Sequence, residues 1–264
     1  MIRSAMSLVE LIYHATVRNV RQDHGNAVIG LMMNMVQTIV LVGAFYVMFS
    51  VMGMRGSAIR GNFLLYIMSG IFLFMTHTKG MGAVLKAEGP ASPMMQHAPM
   101  NTIVAISASS LAALYIQVLS MFVVLFGYHV IVEPLEIYQP VQAFGMVLLS
   151  WWSGVAIGMM FLAVKPWAPG AVGVVSSVYA RANMIASGKM FVANMMPGHI
   201  LVYFTWNPLF HTIDQARGFA FINYNPHYSN IAYPVMLSII LMFLGLMGES
   251  VTRKAASISW NAKR

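Results

Sequence analysis

The chain lacks cysteine altogether and contains few charged residues. Its 264 residues include no Cys, 15 Lys and Arg, and 7 Asp and Glu. Without cysteine there are neither disulfides nor thiolate metal sites, although this absence does not identify a compartment. Charged residues make up 8% of the chain, whereas a soluble domain usually carries about 25%. Because so few charges cannot cover a water-exposed surface, most of the surface is expected to face lipid.

Motifs of nucleotide hydrolysis and of common hydrolases are missing as well. There is no G-x-x-x-x-G-K-[ST] phosphate loop, so the chain is not expected to bind and hydrolyse ATP itself. HExxH and G-x-S-x-G are also absent, and no long polar block remains for a soluble catalytic domain. The sequence therefore predicts neither catalytic residues nor a metal site. The net charge of +8 would suggest nucleic acid in a soluble protein, but here the position of each charge matters more.

What the chain does contain is apolar sequence. Hydrophobic residues make up 59% of it, and its mean hydropathy is +0.71. Since a helix needs about 20 residues to cross the hydrocarbon, we predict spans at 28–52, 62–83, 102–132, 141–164, 170–192 and 232–249. Barrel strands are shorter, about 11 residues, and alternate in polarity. The predicted fold is therefore an all-α membrane protein, one transmembrane domain over 1–264 with six transmembrane helices.

An additional helix is predicted before the first span, over residues 5–21. Leu8, Leu11, Ile12 and Ala15 recur at helical spacing, while charged residues occupy another face. Such an amphipathic helix lies along the membrane surface with its apolar face in lipid. A helix packed on a cytosolic partner is the other interpretation, and the two are compatible.

The distribution of Lys and Arg predicts the orientation, because these residues collect on the cytoplasmic side. With the N-terminus inside, the cytoplasmic positive residues are Arg3, Arg18, Arg21, Lys79, Lys86, Lys165, Arg253, Lys254, Lys263 and Arg264. The outer ones are Arg55, Arg60 and Arg217. This asymmetry predicts that both termini are cytoplasmic.

Two connections are longer than simple turns. The cytoplasmic loop 80–101 is rich in proline and polar residues, namely Lys86, Glu88, Pro90, Pro93, Gln96 and His97. The outer region 194–231 contains apolar pieces too short to cross, which are often re-entrant. Pro197-Gly198 is a turn signal, and Asn207 resembles an N-cap with Pro208 at the first helical position. We predict a re-entrant helical hairpin here, between the fifth and sixth spans.

Arg181 lies about twelve residues into the fifth predicted span, near the bilayer centre. A lipid-facing charge at that depth is costly, so Arg181 is expected to face protein or a water-filled path. Ser177 and Gly188 fall on roughly the same face, with Lys189 nearby. One interpretation is a positive lining for an anionic substrate. The other is an arginine that caps a neighbouring helix or pairs with a carboxylate.

In the outer region, His211, Asp214 and Arg217 recur every three residues and are predicted to form a chain of polar contacts on one helix. A His–Asp pair is also found in hydrolases, but no Ser or Cys nucleophile stands in a recognisable setting. Holding the re-entrant helix in place is the favoured interpretation.

Aromatic residues crowd the same region: Tyr203, Phe204, Trp206, Phe210, Phe219, Phe221, Tyr224 and Tyr228. An interfacial aromatic belt accounts for them. A surface on which sugar rings stack is the alternative. Of these residues, Tyr203, Trp206 and Tyr224 are the ones we assign to a candidate substrate pathway.

This outer region resembles that of the permease subunits of ABC-2 type exporters, in the capsular polysaccharide branch. The similarity lies in Ser187-Gly188, Met195-Met196-Pro197, Trp206-Asn207-Pro208-Leu209, His211, Asp214, Arg217 and Tyr224. The family often has Glu where this chain has Asp214. By motif the resemblance covers about 40 residues, and by layout nearly the whole chain.

The resemblance implies a homodimeric permease in the bacterial inner membrane that exports a lipid-linked polysaccharide. It implies two separate ATP-binding subunits, which would hold the ATP and Mg that this chain lacks. The loop Glu88–Met100 would be the coupling helix, with the turn Lys165–Pro169 beside it. A periplasmic adaptor and an outer-membrane channel are further partners in the family; nucleic acid is not.

Three alternatives remain open at this point. The cargo of an ABC-2 exporter can also be O-antigen, teichoic acid or a drug. A membrane-embedded lipid-modifying enzyme is another possibility, and the pair His211 and Asp214 is the only sequence feature that favours it. A membrane anchor without transport function is the third, and Arg181 at mid-span argues against it.

Overall fold

The computed structural model describes residues 2–22, 27–53, 59, 61–87 and 102–261. Within that part of the chain the secondary structure is helical, and it contains no β-strand. The helices are α1 (Ile2–Gln22), α2 (Ala27–Val51), α3 (Phe63–Lys86), α4 (Thr102–Ile131), α5 (Pro140–Val164), α6 (Pro169–Ala186), α7 (Gly198–Leu201), α8 (Pro208–Ala220) and α9 (Ala232–Asn261), with a 3-10 turn at Ala193–Met195.

Four of these helices are long and apolar enough to cross a membrane. They are the segments Val28–Val51, Thr102–Ile131, Pro140–Val164 and Ala232–Thr252, with mean hydropathies of 1.9 to 2.0. They match four of the predicted spans, and the all-helical membrane-protein class is confirmed to this extent. The predicted spans 62–83 and 170–192 are also helical, as α3 and α6, but they are not among these four.

α3 differs from the other four in its burial, and α6 differs in its length. α3 is enclosed by protein over most of its length, with buried residues from Leu65 to Val84. α6 has only 18 residues and ends at Ala186, followed by Gly188 at φ +75°. A glycine in the left-handed region is a common helix terminator. Lys189 therefore follows the helix, whereas the predicted span 170–192 had included it.

Small residues bring α5 into close contact with α3. A Cβ on Gly154 would lie 2.2 Å from the carbonyl oxygen of His77, and one on Gly158 would lie 2.8 Å from that of Met81. Ser150, one turn before Gly154, donates to the Leu73 carbonyl oxygen at 2.7 Å. Small residues four apart allow helix backbones in membranes to approach closely. The α3–α5 pair thus forms the centre of the bundle.

Buried polar side chains join α2 to α4 among the apolar residues. Asn34 donates to Gln117 Oε1 at 3.1 Å and to Ser120 Oγ at 2.9 Å. All three side chains are buried. Because water cannot compensate an unpaired amide in hydrocarbon, such contacts hold transmembrane helices in register.

One end of the bundle, here called the cap end, carries α7 and α8. α8 meets the start of α5 there, because the amides of Tyr138 and Gln139 donate to the carbonyl oxygens of Ala220 and Phe219 at 3.2 and 2.8 Å. Leu209 and Ile213 of α8 pack into the main hydrophobic core with residues of α3 and α5. The cap end is therefore part of the folded bundle.

Candidate functional site

Arg217 fastens α8 to the segment that follows α6. Its guanidinium is buried and donates to the carbonyl oxygens of Gly188, Phe191 and Lys189 at 2.9, 2.7 and 2.8 Å. It also lies 4.2 Å from the ring centroid of Tyr66 on α3. The segment after α6 lacks regular helical hydrogen bonds, so its carbonyl groups need other donors. Arginine, with five donors in a planar fork, can supply several at once.

Two glycines make room for this contact. A Cβ on Gly188 would lie 2.8 Å from Phe210, and the residue also has φ +75°. A Cβ on Gly70 of α3 would lie 2.7 Å from Lys189 Cβ and 3.0 Å from Arg217 Nη2. The Gly188 position, which the sequence singled out, is thus explained by backbone conformation and by space.

Asn207 fastens the beginning of α8 to the end of α6. Its side-chain oxygen accepts from the Leu209 amide at 3.0 Å, which makes it the N-cap with Pro208 first in the helix, as the sequence predicted. Its amide donates to Asn183 Oδ1 at 2.7 Å and to the Ala186 carbonyl oxygen at 2.9 Å. Sequence analysis missed Asn183, although an amide inside an apolar segment was a usable signal.

Asp214 and His211 have separate partners. The Tyr224 hydroxyl donates to one oxygen of the buried Asp214 carboxylate, and Ser229 Oγ donates to the other at 2.7 Å. His211 Nε2 donates to the Thr205 carbonyl oxygen at 2.7 Å, while Nδ1 accepts from the Asn230 amide at 3.1 Å. These contacts tie α8 to the chain on both sides of it.

The predicted chain of contacts among His211, Asp214 and Arg217 is not found: none of the hydrogen bonds described for these side chains joins two of them, and each binds other residues of the fold. Burial lowers the pKa of His211, against the opposing effects of its bond to Thr205 and the Asp214 charge. Burial and the Asp214 carboxylate raise the pKa of Tyr224. His211 is therefore neutral near pH 7 and Tyr224 remains a proton donor.

α6 presents a largely exposed surface, here called the Arg181 face. Val172, Ser176 and Asn183 are the buried residues of α6. Arg181 is exposed, and Val174, Val178 and Ile185 around it are more than half exposed. No acidic side chain in the described part of the chain pairs with Arg181. The interpretation of Arg181 as one half of an ion pair within this bundle therefore finds no partner here.

Few hydrogen bonds attach α6 to the bundle. Besides the contacts of Asn207, Tyr179 Oη donates to Nε2 of the buried His77 on α3 at 2.9 Å. His77 in turn donates from Nδ1 to Ser153 Oγ on α5 at 2.9 Å. A polar relay thus joins α3, α5 and α6, and sequence analysis did not find it because single His, Ser and Tyr residues in apolar helices have no spacing signature.

Lys189 lies apart from the Arg181 face. Its side chain is 3% exposed, and its Nζ lies 3.6 Å from the ring centroid of Phe74 and 4.8 Å from that of Phe45. Aromatic ring faces attract a cation, which accounts for an ammonium group enclosed among apolar residues. In this structure Lys189 cannot contact a molecule that moves along the exposed surface of α6.

Of the other residues assigned to the substrate pathway, two are exposed and one is buried. Tyr203 and Trp206 are 72% and 59% exposed at the cap end, whereas Tyr224 is buried against Asp214. Pro197 precedes α7 and Gly198 begins it. The exposed aromatic residues are available to a ligand, and Tyr224 has a structural contact instead.

The structure describes only some of the residues assigned to ATPase coupling. Lys86 is exposed at the end of α3, and Lys165 Nζ donates to the neighbouring Leu85 carbonyl oxygen at 2.7 Å. The turn between α5 and α6 therefore lies beside the end of α3. Glu88, Pro90, Pro93, Gln96 and His97 lie outside the described residues.

Two comparisons with known proteins gave no match. No protein-family model matches the chain, and no curated protein is similar to it at a significant level.

Proposed function

We propose that the chain is the membrane-spanning permease subunit of an ATP-driven exporter of the ABC-2 type, and that its cargo is a lipid-linked capsular polysaccharide. It works as a homodimer in the bacterial inner membrane with two separate ATP-binding subunits. The family resemblance supplies the class of cargo and the partners. The arrangement of α6 supplies the physical support.

The observation that carries the proposal is the Arg181 face. A guanidinium that has no ion-pair partner among the described residues and lies among exposed valine and isoleucine side chains is unfavourable against lipid. It becomes favourable where a second copy and water complete a polar path. In that position Arg181 attracts an anionic polymer, and the exposed Tyr203 and Trp206 at the cap end offer rings on which sugars stack.

The proposed topology has six spans, with α3 and α6 added to the four apolar helices and α7–α8 as a re-entrant hairpin on the outer side. The N-terminus and C-terminus are cytoplasmic. The end of α3 and the turn after α5, which Lys165 joins, lie on the cytoplasmic side. ATP binding to the partner subunits is proposed to move this junction and to shift the two permease copies between discrete packings.

The hydrogen bonds of His211 and Asp214 do not favour the competing enzyme hypothesis. Both nitrogens of His211 and both oxygens of Asp214 have partners within the fold. An acid–base pair that acts on a substrate needs at least one free atom within hydrogen-bond reach of it. These two residues instead hold α8 in place.

The absence of cysteine in the natural chain makes the topology directly testable. We expect a cysteine that replaces Tyr203 to react with a membrane-impermeant maleimide in intact cells. A cysteine that replaces Lys86 should react only after the inner membrane is permeabilised. The unmodified chain is the control, because it has no thiol to label. Labelling of both positions from the same side would contradict the six-span topology.

Replacing Arg181 with alanine tests the transport path. We expect export of an acidic capsular polysaccharide to fall about fivefold or more, since one Lys or Arg near a charged surface contributes about 1 kcal/mol. Arg181→Lys retains the charge and should retain most of the export. Co-purification with the ATP-binding subunit should be unchanged in both variants.

Normal export by the alanine variant would remove Arg181 from the mechanism. A wild-type chain that isolates without any ATP-binding subunit, and is active alone, would contradict the proposed function itself. Unimpaired export of a different cargo by an assembled complex would contradict only the polysaccharide assignment.

A further inference from the structure

A groove of about 700 Å³ lies between α1, α4 and α5, on surfaces that the proposed transport path does not use. Leu114, Val118 and Phe122 of α4 line one wall, and Leu148 of α5 lines another. Tyr13 and Arg21 of α1 also line the groove, and Arg21 lies near the Leu111 end, because Asn19, two residues before it, donates to Ser109 Oγ on α4 at 3.1 Å. The groove is thus apolar along its length and carries a positive charge at one end.

The length of the groove corresponds to one leaflet of a bilayer. Its lining on α4 extends from Leu111 to Phe122, which is about 16 Å at 1.5 Å per residue. Half of the hydrocarbon core of a bilayer is about 15 Å. An acyl chain that enters beside α1 would therefore reach the far end of the groove near the bilayer midplane.

α1 is fixed at the mouth of this groove. Asn19 donates to Ser109 Oγ on α4 at 3.1 Å, and Val17 and Val20 of α1 face the groove. Arg18 and Arg21 are both exposed, but only Arg21 contributes to the lining. A guanidinium in this position is suited to a phosphate, which it binds with two parallel hydrogen bonds.

We infer that the groove binds a phospholipid with an anionic headgroup, with one acyl chain along α4 and the phosphate at Arg21. The positive charge at the mouth selects the headgroup, and the apolar walls accept the chain. The lipid would hold α1 against α4 and α5 and so couple the position of α1 to the composition of the membrane. This inference requires only that the chain spans a membrane, whatever its cargo.

The test measures lipid binding to the purified full chain by native mass spectrometry. Phosphatidylglycerol and phosphatidylcholine with identical acyl chains are added back separately to delipidated protein. We expect the wild-type chain to bind phosphatidylglycerol in preference. Arg21→Gln should weaken its binding about fivefold, the effect of one basic residue at an anionic surface.

Arg18→Gln is the matched control, because it removes the same charge from the same exposed surface of α1 without altering the groove. It should retain most of the preference for phosphatidylglycerol. Val118→Trp, which fills the groove, should reduce the binding of both lipids. Since Arg21 is exposed, its replacement does not endanger the fold.

Equal losses of phosphatidylglycerol binding in the Arg21 and Arg18 variants would overturn the assigned site. So would equal binding of the two lipids by the wild-type chain. A groove covered by protein, from this chain or from a second copy, would leave lipid binding unaffected by Val118→Trp and would overturn the proposal as well.

Discussion

Arg217→Ala is expected to detach α8 from the segment after α6 and to lower the stability of the protein by about 3 kcal/mol or more. Each hydrogen bond to a charged group contributes about 1.5–3 kcal/mol, and Arg217 donates three to buried or half-buried carbonyl oxygens. Removal of the side chain takes this donor from the carbonyl oxygens of Lys189 and Phe191, while that of Gly188 keeps a long bond from the Phe191 amide at 3.4 Å. Thermal unfolding of the purified protein in detergent measures the effect.

Gln215→Ala is the matched control on the same helix. Gln215 is only partly buried, and its side chain donates to Ser229. Its replacement should lower the unfolding temperature by much less. The unfolding temperature of Arg217→Lys should lie between those of the wild type and Arg217→Ala. An ammonium group keeps the charge but cannot reproduce the planar fork that reaches three carbonyl oxygens. An Arg217→Ala variant as stable as Gln215→Ala would show that the guanidinium does not hold the cap end together.

Gly154→Ala is expected to destabilise the centre of the bundle, whereas Gly145→Ala on the same helix is not. A methyl group at position 154 would lie 2.2 Å from the His77 carbonyl oxygen, while at position 145 it would meet nothing within 4 Å. The atom at 2.2 Å belongs to the backbone, so a rotamer change cannot relieve the clash. Overpacking of this kind costs about 1–3 kcal/mol, occasionally more.

The two alanine variants have the same change in chemistry and differ only in their surroundings. Alanine in a helix interior is favoured over glycine by about 0.5–1 kcal/mol, so Gly145→Ala should be neutral or slightly stabilising. The yield of monodisperse protein and its unfolding temperature in detergent are suitable measurements. Equal behaviour of the two variants would mean that α3 and α5 are farther apart in the membrane than they are in this structure.

These contacts divide the molecule into a tightly packed core, formed by α3, α5 and the cap end, and the more loosely attached helix α6. α3 and α5 are in backbone contact through Gly154 and Gly158, and Arg217 holds the cap end to the same core. α6, by contrast, is attached through Tyr179 and the Asn183–Asn207 contact. In the proposed exporter, α6 is therefore expected to move against the bundle more readily than α3 or α5 moves against the other.

Much of the helical layout was predictable from the sequence, because an apolar run of sufficient length has one stable form in lipid. The four apolar helices, the N-cap at Asn207 and the proline at 208 were recognised in this way. The end of α6 was misplaced because Ser187-Gly188-Lys189 lies next to further apolar residues, and the left-handed φ by which Gly188 ends the helix is visible only in the structure. The inward position of Lys189 was missed for a related reason, since spacing along one helix does not show which aromatic rings lie opposite.

The sequence by itself determined that this chain is helical, belongs in a membrane and carries an unusual charge at position 181. It did so because the transfer of a side chain from water to lipid depends mainly on the residue type. Only the tertiary structure decided which polar groups meet: Arg217 with three carbonyl groups, His77 with Tyr179, Asn207 with Asn183. In a chain that is apolar on almost every side, the residues that face the protein core and those that face lipid are of the same types. Which polar side chains contact each other therefore depends on how the helices pack.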